Sequence, residues 1–316
     1  LYAGDVGIAI NPKLAARIQE ADLVLAIGPR LGEMTTSGYT LLTAPQPKQK
    51  LVHMHSSAEE LGRVYQPELA LCATMPAIAT ALAAMAPTDS AKPRWQAWAD
   101  AAHADYLANQ QPQALPGPVD MHAVMQTIQA ALPADAAITN GAGNFASWVH
   151  RYFVYPGLAA GVKTQIAPTS GAMGYGVPAG IACAITTGRT VLTMAGDGDF
   201  MMNGQELATA VQYGGKTIIV ILNNGVFGTI RMHQARDYPH RRAGTELVNP
   251  DFVQLAKSYG YAAERVTRTE EFEPALRAAL ARAEGTVIEV ILSDQVITTR
   301  VTLDTIEEKA AAAKAA

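Results

Sequence analysis

Short apolar runs rich in β-branched residues alternate along this chain with helical spacings, the pattern of parallel sheets covered by helices. In the first part, residues 13–20 pattern as a short amphipathic helix, 22–27 as a buried strand and 51–55 as another. Ser57 and Glu60 have the spacing of a capping box that opens the next helix, and 69–72 and 75–85 add a strand and a helix. That is too few strands for a complete doubly wound sheet. The chain opens at Leu1 in what reads as the middle of a unit, so an upstream portion is expected.

Residues 86–93 interrupt the pattern, a helix near 95–107 follows, and a stretch rich in Pro, Gln and Gly runs over 110–118. These mark a domain boundary. Beyond it, Asp120 can cap a helix to 132, before a strand at 136–139, a helix at 144–152 and an apolar Gly-rich helix over 170–185. Strand 190–194, helix 203–213, strand 217–222 and a helix from 226 come next. Helix 251–259, strand 263–266, helix 270–283 and strand 286–292 complete the sheet, and the Ala/Lys-rich tail over 307–316 reads as a frayed, solvated helix. The organisation expected is a partial Rossmann-like domain over 1–86, a linker with a helix over 87–118, a second α/β domain over 119–300 and a tail over 301–316.

Composition narrows the function classes. With 316 residues and 49% hydrophobic content, a chain of about two domains can bury large cores. A formal charge of −4 with both signs interspersed leaves no polybasic stripe, which argues against nucleic acid or an anionic membrane as partner. The uncharged run 69–86 contains Pro76 and reads as a strand and helix rather than a membrane span. No basic-then-apolar leader opens the chain, so a cytoplasmic enzyme is the default expectation. Cys72 and Cys183 lie in Ala-rich surroundings and read as core residues, and His53 and His55, alternating on one strand, as sheet-edge residues.

Three turns follow strands of the second domain, where ligands of open parallel sheets bind. Gly141-Ala142-Gly143-Asn144-Phe145-Ala146 fits a dinucleotide-binding spacing, but that chemistry needs an acid about 20 residues on. None is present from Ala136 to Gly196, which argues against NAD and fits a loop whose amides face an anion. In Gly196-Asp197-Gly198-Asp199 the glycines allow close backbone approach and successive amides form an anion-binding concavity. The helix expected from Asn203, with Glu206 as capping partner, aims its N-terminus at the same loop. Leu222-Asn223-Asn224-Gly225 is the third turn. A carboxylate from one strand end and an amide oxygen from the next can share a hard cation with diphosphate oxygens, and Mg²⁺ suits that arrangement. Each taken alone reads more readily as an ordinary turn.

Their separation is what distinguishes them. Gly196-Asp197-Gly198, with Asn224 following Asp197 by 27 positions, resembles the thiamine-diphosphate motif of the acetolactate synthase, benzoylformate decarboxylase and pyruvate decarboxylase superfamily. Gln205-Glu206-Leu207 and Gln212-Tyr213-Gly214 between them are similar too. The resemblance implies an α/β fold comprising the end of the family's central domain over 1–86 and its pyrophosphate-binding domain over 119–300. It implies Mg²⁺ held by the side chains of Asp197 and Asn224 and the carbonyl of Val226. Gly196 lies in the same cofactor-binding turn, and Gly198 and Asp199 offer backbone amides to the diphosphate, with Gly143, Asn144 and Phe145 on its other side. Met173 matches the bulky apolar residue that holds the cofactor bent; packing in a core is the alternative for it.

The implied activity is decarboxylation of a 2-oxo acid, with or without addition to a second carbonyl compound. No catalytic residue is assigned within the chain, because the activating glutamate resides in the family's pyrimidine-binding domain. That domain is expected upstream in the full-length chain or in a neighbouring subunit of a homodimer or homotetramer, and these residues alone are expected to be inactive. A simple 2-oxo acid decarboxylase and a non-catalytic cofactor-binding subunit are the alternatives. The loop 28–33 lacks the Arg-Phe-Asp-Asp pattern of flavin-binding acetolactate synthases, which argues against FAD, and 225–234 lacks their tryptophan. Arg231 and His233 are candidates for the substrate mouth, with a structural or solvated role equally open.

Overall fold

Along the strand Ile218–Asn223, Ile218, Val220 and Leu222 face one way and Ile219 and Ile221 the other, and all five are buried. A strand buried on both sides needs a covering layer on each face of its sheet, which organises the larger part of the molecule. The computed structural model describes residues 1–85 and 94–315, in two units, Leu1–Gln111 and Pro112–Ala316. The interruption expected at 86–93 lies outside the described residues.

The first unit holds strands β1 (Leu23–Ile27), β2 (Lys50–His55) and β3 (Leu69–Cys72), all parallel and in the order β1-β2-β3. One face carries a small core of Ala26, Leu42, Leu51 and Tyr65. On the other, Leu23, Leu25, Ile27, Leu69 and Leu71 are exposed, so among the described residues β1 is covered on one side only. Helix α1 (Pro12–Glu20) begins at Asn11, whose side chain accepts from the Lys13 amide, and α2 is Met75–Ala84. The helix expected in the linker, α3 (Gln96–Asn109), packs within this unit: its Asp105 accepts from Lys13 Nζ at 2.8 Å and Arg17 Nη2 at 2.6 Å.

Three local expectations change here. His53 is on the central strand, not an edge; it is buried, with Nε2 3.0 Å from the Pro29 carbonyl oxygen. Ser57 makes no side-chain cap, and only a 3₁₀ turn, Ala58–Glu60, follows, because Glu60 pairs with Arg30 and Arg63 instead. Cys72 is exposed, whereas Cys183 is buried as expected.

The second unit holds β4 (Ala137–Asn140), β5 (Gln165–Ile166), β6 (Val191–Gly196), β7 (Ile218–Asn223), β8 (Ala262–Val266) and β9 (Thr286–Ile291). They form one parallel sheet in the order β5-β4-β6-β7-β9-β8. The helices are α4 (Met121–Ala131), α5 (Ala146–Tyr152), α6 (Gly176–Thr187), α7 (Asp197–Asn203), α8 (Leu207–Tyr213), α9 (Gly228–Asp237), α10 (Phe252–Ser258), α11 (Phe272–Ala281) and α12 (Leu303–Ala315). One core joins Ile128, Trp148 and Leu276 to Leu192, Met194 and Ile288; the other joins Ile181, Leu207 and Phe252 to Ala195, Ile219 and Val287. Each large buried aliphatic side chain stabilises the fold by roughly 1.5–3 kcal/mol. A one-residue slip of β7 would exchange its two faces between the cores, so its register is firmly specified.

Helix α12 starts earlier than the expected tail and is not merely solvated. Leu303 and Glu307 are buried, and the Glu307 carboxylate accepts from Arg242 Nη2 and the His240 amide, each at 2.6 Å. Among the described residues no helix is long and apolar enough to cross a membrane.

The strand order places the site. From β4 the chain moves to β5 on one side and then to β6 on the other, so the order reverses between β4 and β6. The carboxyl ends of two such strands diverge into a crevice, the usual ligand position in open α/β sheets.

Candidate cofactor site

The turn after β6 is tighter than expected. Gly196, paired in register with Leu222 of β7, is extended, and α7 begins at once with Asp197 rather than at Asn203. Two acids in the first turn suit the positive end of the helix. Asn203 leaves helical geometry, a 3₁₀ turn Gly204–Glu206 intervenes, and Glu206 accepts from Thr209 Oγ1 at 2.7 Å instead of capping Asn203.

Asp197 is 3% exposed. Its Oδ1 accepts from the Gly198 amide at 2.9 Å, and its Oδ2 from the Gly225 amide and Asn249 Nδ2, both at 2.8 Å. Burial pushes its carboxyl above the ordinary range, while the donors from Asn249, Gly198 and Gly225 oppose that. The second and third turns, apart in sequence, therefore meet at this carboxylate. In the third turn Asn224 Oδ1 accepts from the Val226 amide at 3.3 Å, and Val226 is buried beside an antiparallel bridge to Glu246.

The side chain of Asp199, for which the sequence suggested no role, is engaged as well. Its Oδ1 accepts from the Gly174 amide at 2.8 Å and the Ala142 amide at 3.1 Å, so one side chain joins the turn after β4 to the loop before α6. Burial raises its carboxyl to about 6, against the pull of those two amides. Gly141 is required by the same contact, since a Cβ there would lie 2.0 Å from Asp199 Oδ1.

The first turn is anchored from the far side by α9: the Asn144 amide donates to Thr229 Oγ1 at 2.9 Å, and Asn144 Nδ2 to Met232 Sδ at 3.2 Å. The Phe145 ring lies where a Cβ on Gly143 or Gly196 would be, at 2.9 and 2.8 Å, and the Phe227 ring does the same for Gly198 at 2.6 Å. Close packing of protein on protein thus requires these glycines, a reason beyond ligand approach. Met173 is 39% exposed and next to Gly174, whose amide donates to Asp199.

Arg231 is buried and donates to Thr245 Oγ1 at 2.6 Å, holding the segment that pairs with Val226, while His233 contacts Arg236 at the surface. Asn249 and Glu289 were not singled out by sequence, and Asn223 only as part of the third turn, yet they adjoin Asp197 directly or through one another. Asn249 precedes Pro250, a dipeptide that reads only as a turn.

Two models from one enzyme family match the chain: the thiamine pyrophosphate enzyme central domain over residues 1–82, and the thiamine pyrophosphate enzyme C-terminal TPP binding domain over 141–290. The chain belongs to the thiamine pyrophosphate enzymes. The second match opens at the turn after β4 and takes in all three turns of the crevice. The parallel sheets flanked by helices are the fold expected of this family. Among curated relatives, the acetolactate synthase large subunit of Parasynechococcus marenigrum (strain WH8102) is 28% identical over 280 residues, covering 86% of this chain and 44% of that protein. The acetolactate synthase isozyme 2 large subunit of Escherichia coli (strain K12) is 28% identical over 283 residues, 87% of this chain and 48% of that one. The chloroplastic acetolactate synthase 1 of Zea mays is 27% identical over 296 residues, 88% and 44% respectively. The chain therefore spans less than half the length of these relatives.

Proposed function

We propose that the chain is the diphosphate-binding part of a thiamine-diphosphate- and Mg²⁺-dependent, acetolactate-synthase-like enzyme acting on 2-oxo acids. One observation carries the reading. Asp197 is a buried carboxylate at the carboxyl end of β6, and the groups donating to it, Gly198, Gly225 and Asn249, are all neutral. A carboxylate buried without a counter-charge is costly, and a bound cation supplies that charge.

The candidate donors, the Asp197 carboxylate, the Asn224 amide and the Val226 carbonyl, are all oxygens. Such a set suits Mg²⁺, which takes its remaining positions from phosphate and water. Gly143, Asn144 and Phe145 would line one side of the diphosphate, Gly196 and the amides of Gly198 and Asp199 the other, and exposed Met173 would support the body of the cofactor. When bound, thiamine diphosphate supplies the electron sink on which a 2-oxo acid loses carbon dioxide. This chain's own work is to bind and orient. The activating group belongs, on this reading, to a pyrimidine-binding domain of the full-length protein or of a neighbouring subunit. The acetolactate synthase names of the relatives support the substrate class.

Calorimetric titration of thiamine diphosphate, with and without Mg²⁺, on the parent protein and Asp197→Ala tests this. Mg²⁺-dependent binding to the parent and its loss in the variant are expected. Equal binding in all four experiments removes the proposal.

A further inference from the structure

Asp197 is held by a residue that no local motif marks. Asn249 Nδ2 donates to Asp197 Oδ2 at 2.8 Å and to Asn223 Oδ1 at 3.0 Å. Asn223 Nδ2 donates in turn to Glu289 Oε1 at 2.7 Å. Glu289, 1% exposed, accepts at its other oxygen from Arg265 Nε at 2.7 Å. Arg265 also reaches Asp251, the N-cap of α10, at 2.9 Å. One unbroken row of polar groups thus runs from Arg265 through Glu289, Asn223 and Asn249 to Asp197.

The direction of that row follows from its ends. A side-chain amide can present either its oxygen or its NH₂, whereas a carboxylate paired with a guanidinium only accepts. Glu289 therefore draws the NH₂ of Asn223 toward itself and turns Asn223 Oδ1 toward Asn249, an orientation the Gly225 amide shares by donating to that oxygen at 3.2 Å. With that oxygen accepting, Asn249 must present its NH₂, whose second hydrogen reaches Asp197 Oδ2. The Gly225 amide donates to the same oxygen, so both in-plane lone pairs of Oδ2 are taken. Oδ1, which accepts from the Gly198 amide at 2.9 Å, is the oxygen with room for a further partner.

We propose that Asn249 is a positioning residue for the cation-binding carboxylate, oriented by Glu289 through Asn223, and that the row restricts Asp197 to coordination through Oδ1 alone. This rests on Asp197 being a cation ligand. Its consequence is selectivity: Mg²⁺ demands near-octahedral geometry, whereas Ca²⁺ accepts carboxylates through one oxygen or two. A carboxylate that cannot rotate to offer both oxygens favours the smaller ion.

The test measures, on the protein at its full natural length, the Mg²⁺ and Ca²⁺ concentrations that half-saturate thiamine diphosphate binding in calorimetry. For Asn249→Ala the Mg²⁺ requirement should rise roughly 10- to 100-fold, the usual effect of removing a partner of a metal ligand. The Ca²⁺ requirement should rise less, so that the preference for Mg²⁺ shrinks. Glu289→Gln, which keeps the shape of a group that never touches Asp197, should change both in the same direction by a smaller factor. Variants that keep the Mg²⁺ requirement within twofold of the parent, while Asp197→Ala abolishes binding, would overturn the proposal. An equal loss for both ions, the mark of a purely structural role, overturns it as well. If Asn249→Ala shows no cooperative melting, Glu289→Gln decides alone. Cation-dependent binding that survives in Asp197→Ala would instead sink the cation reading of Asp197 itself, and this proposal with it.

Discussion

The carboxylate of Asp197 and the backbone amide of Gly225, separated by 28 positions in the chain, are joined by a 2.8 Å hydrogen bond. It closes the end of the β6/β7 pair and brings the turn that carries Asn224 up to the carboxylate. The cost is a buried carboxyl group with only neutral partners, which a bound cation would offset on the reading proposed above.

Asp197→Asn separates the two roles. The variant keeps an oxygen to accept from Gly225 and Asn249, gives up the acceptor for the Gly198 amide, and removes a charge whose burial is unfavourable. The unfolding free energy of the cofactor-free protein at pH 8 should be higher than the parent's or lower by no more than about 1 kcal/mol. Mg²⁺-dependent thiamine diphosphate binding should fall at least tenfold. Denaturant melts and calorimetry check the pair, and a large loss of stability would show that the carboxylate is needed for folding itself.

Asp199 predicts a pH dependence with a definite sign. Its folded-state carboxyl titrates at about 6, above the 3.8 of the unfolded chain, so the native state binds the extra proton between those values. Stability from this group is fully present below about pH 4 and is lost as pH rises through about 6, a swing on the order of 3 kcal/mol. Asp197 is shifted in the same direction and adds to the slope. Unfolding free energies of cofactor-free parent and Asp199→Asn, compared from pH 4 to 7, isolate the Asp199 part. The Asn variant keeps an acceptor for Ala142 and Gly174, so the difference between the curves should change across that window. Parallel curves would contradict the prediction.

Much of this site was legible in advance, for physical reasons. A strand buried on both faces must be an uninterrupted apolar run, so β6 and β7 could be read, and the turns after them had to carry whatever polar chemistry was present. Asn249 was illegible because its partners, Asp197 and Asn223, lie 52 and 26 residues away and no spacing links them. The start of α7 was missed because two glycines flanking Asp197 weaken helix propensity, whereas here the acids at its positive end favour it. The exposed face of β1 was invisible because an apolar run does not say how many of its faces are covered. β5 is two residues long and leaves no periodic trace.

Gly176, at the start of α6, faces the end of β4 so closely that a Cβ would lie 2.6 Å from the Gly141 nitrogen and 2.7 Å from the Asn140 carbonyl carbon. Both obstacles are backbone atoms, which cannot swing aside as a side chain can. Gly176→Ala should therefore destabilise the protein despite alanine's better helix propensity. The expected loss is about 1–3 kcal/mol, or roughly 2–4 °C of melting temperature per kcal/mol. Gly188→Ala is a useful contrast. Its Cβ would meet open space, and its penalty comes from a backbone φ of +65° alone. A Gly176 variant as stable as the parent would mean that the contact between α6 and the first turn has slack.

Glu307 anchors α12 to the segment after α9. Its carboxylate accepts from the Arg242 guanidinium and the His240 amide, and the Arg242 bond holds its carboxyl below the usual range. The anchor is therefore complete at neutral pH and loosens only as pH falls through that lowered value. Glu307→Gln keeps the shape and removes the charge, leaving Arg242 without its main partner. In hydrogen exchange at pH 7 the variant should lose protection over residues 303–315 and 238–246, while β6, β7 and β9 keep theirs. Those strands have both faces packed in cores that α12 does not enter, so local opening of the helix need not reach them. Faster exchange in the strands as well would show instead that α12 opens only together with the whole sheet.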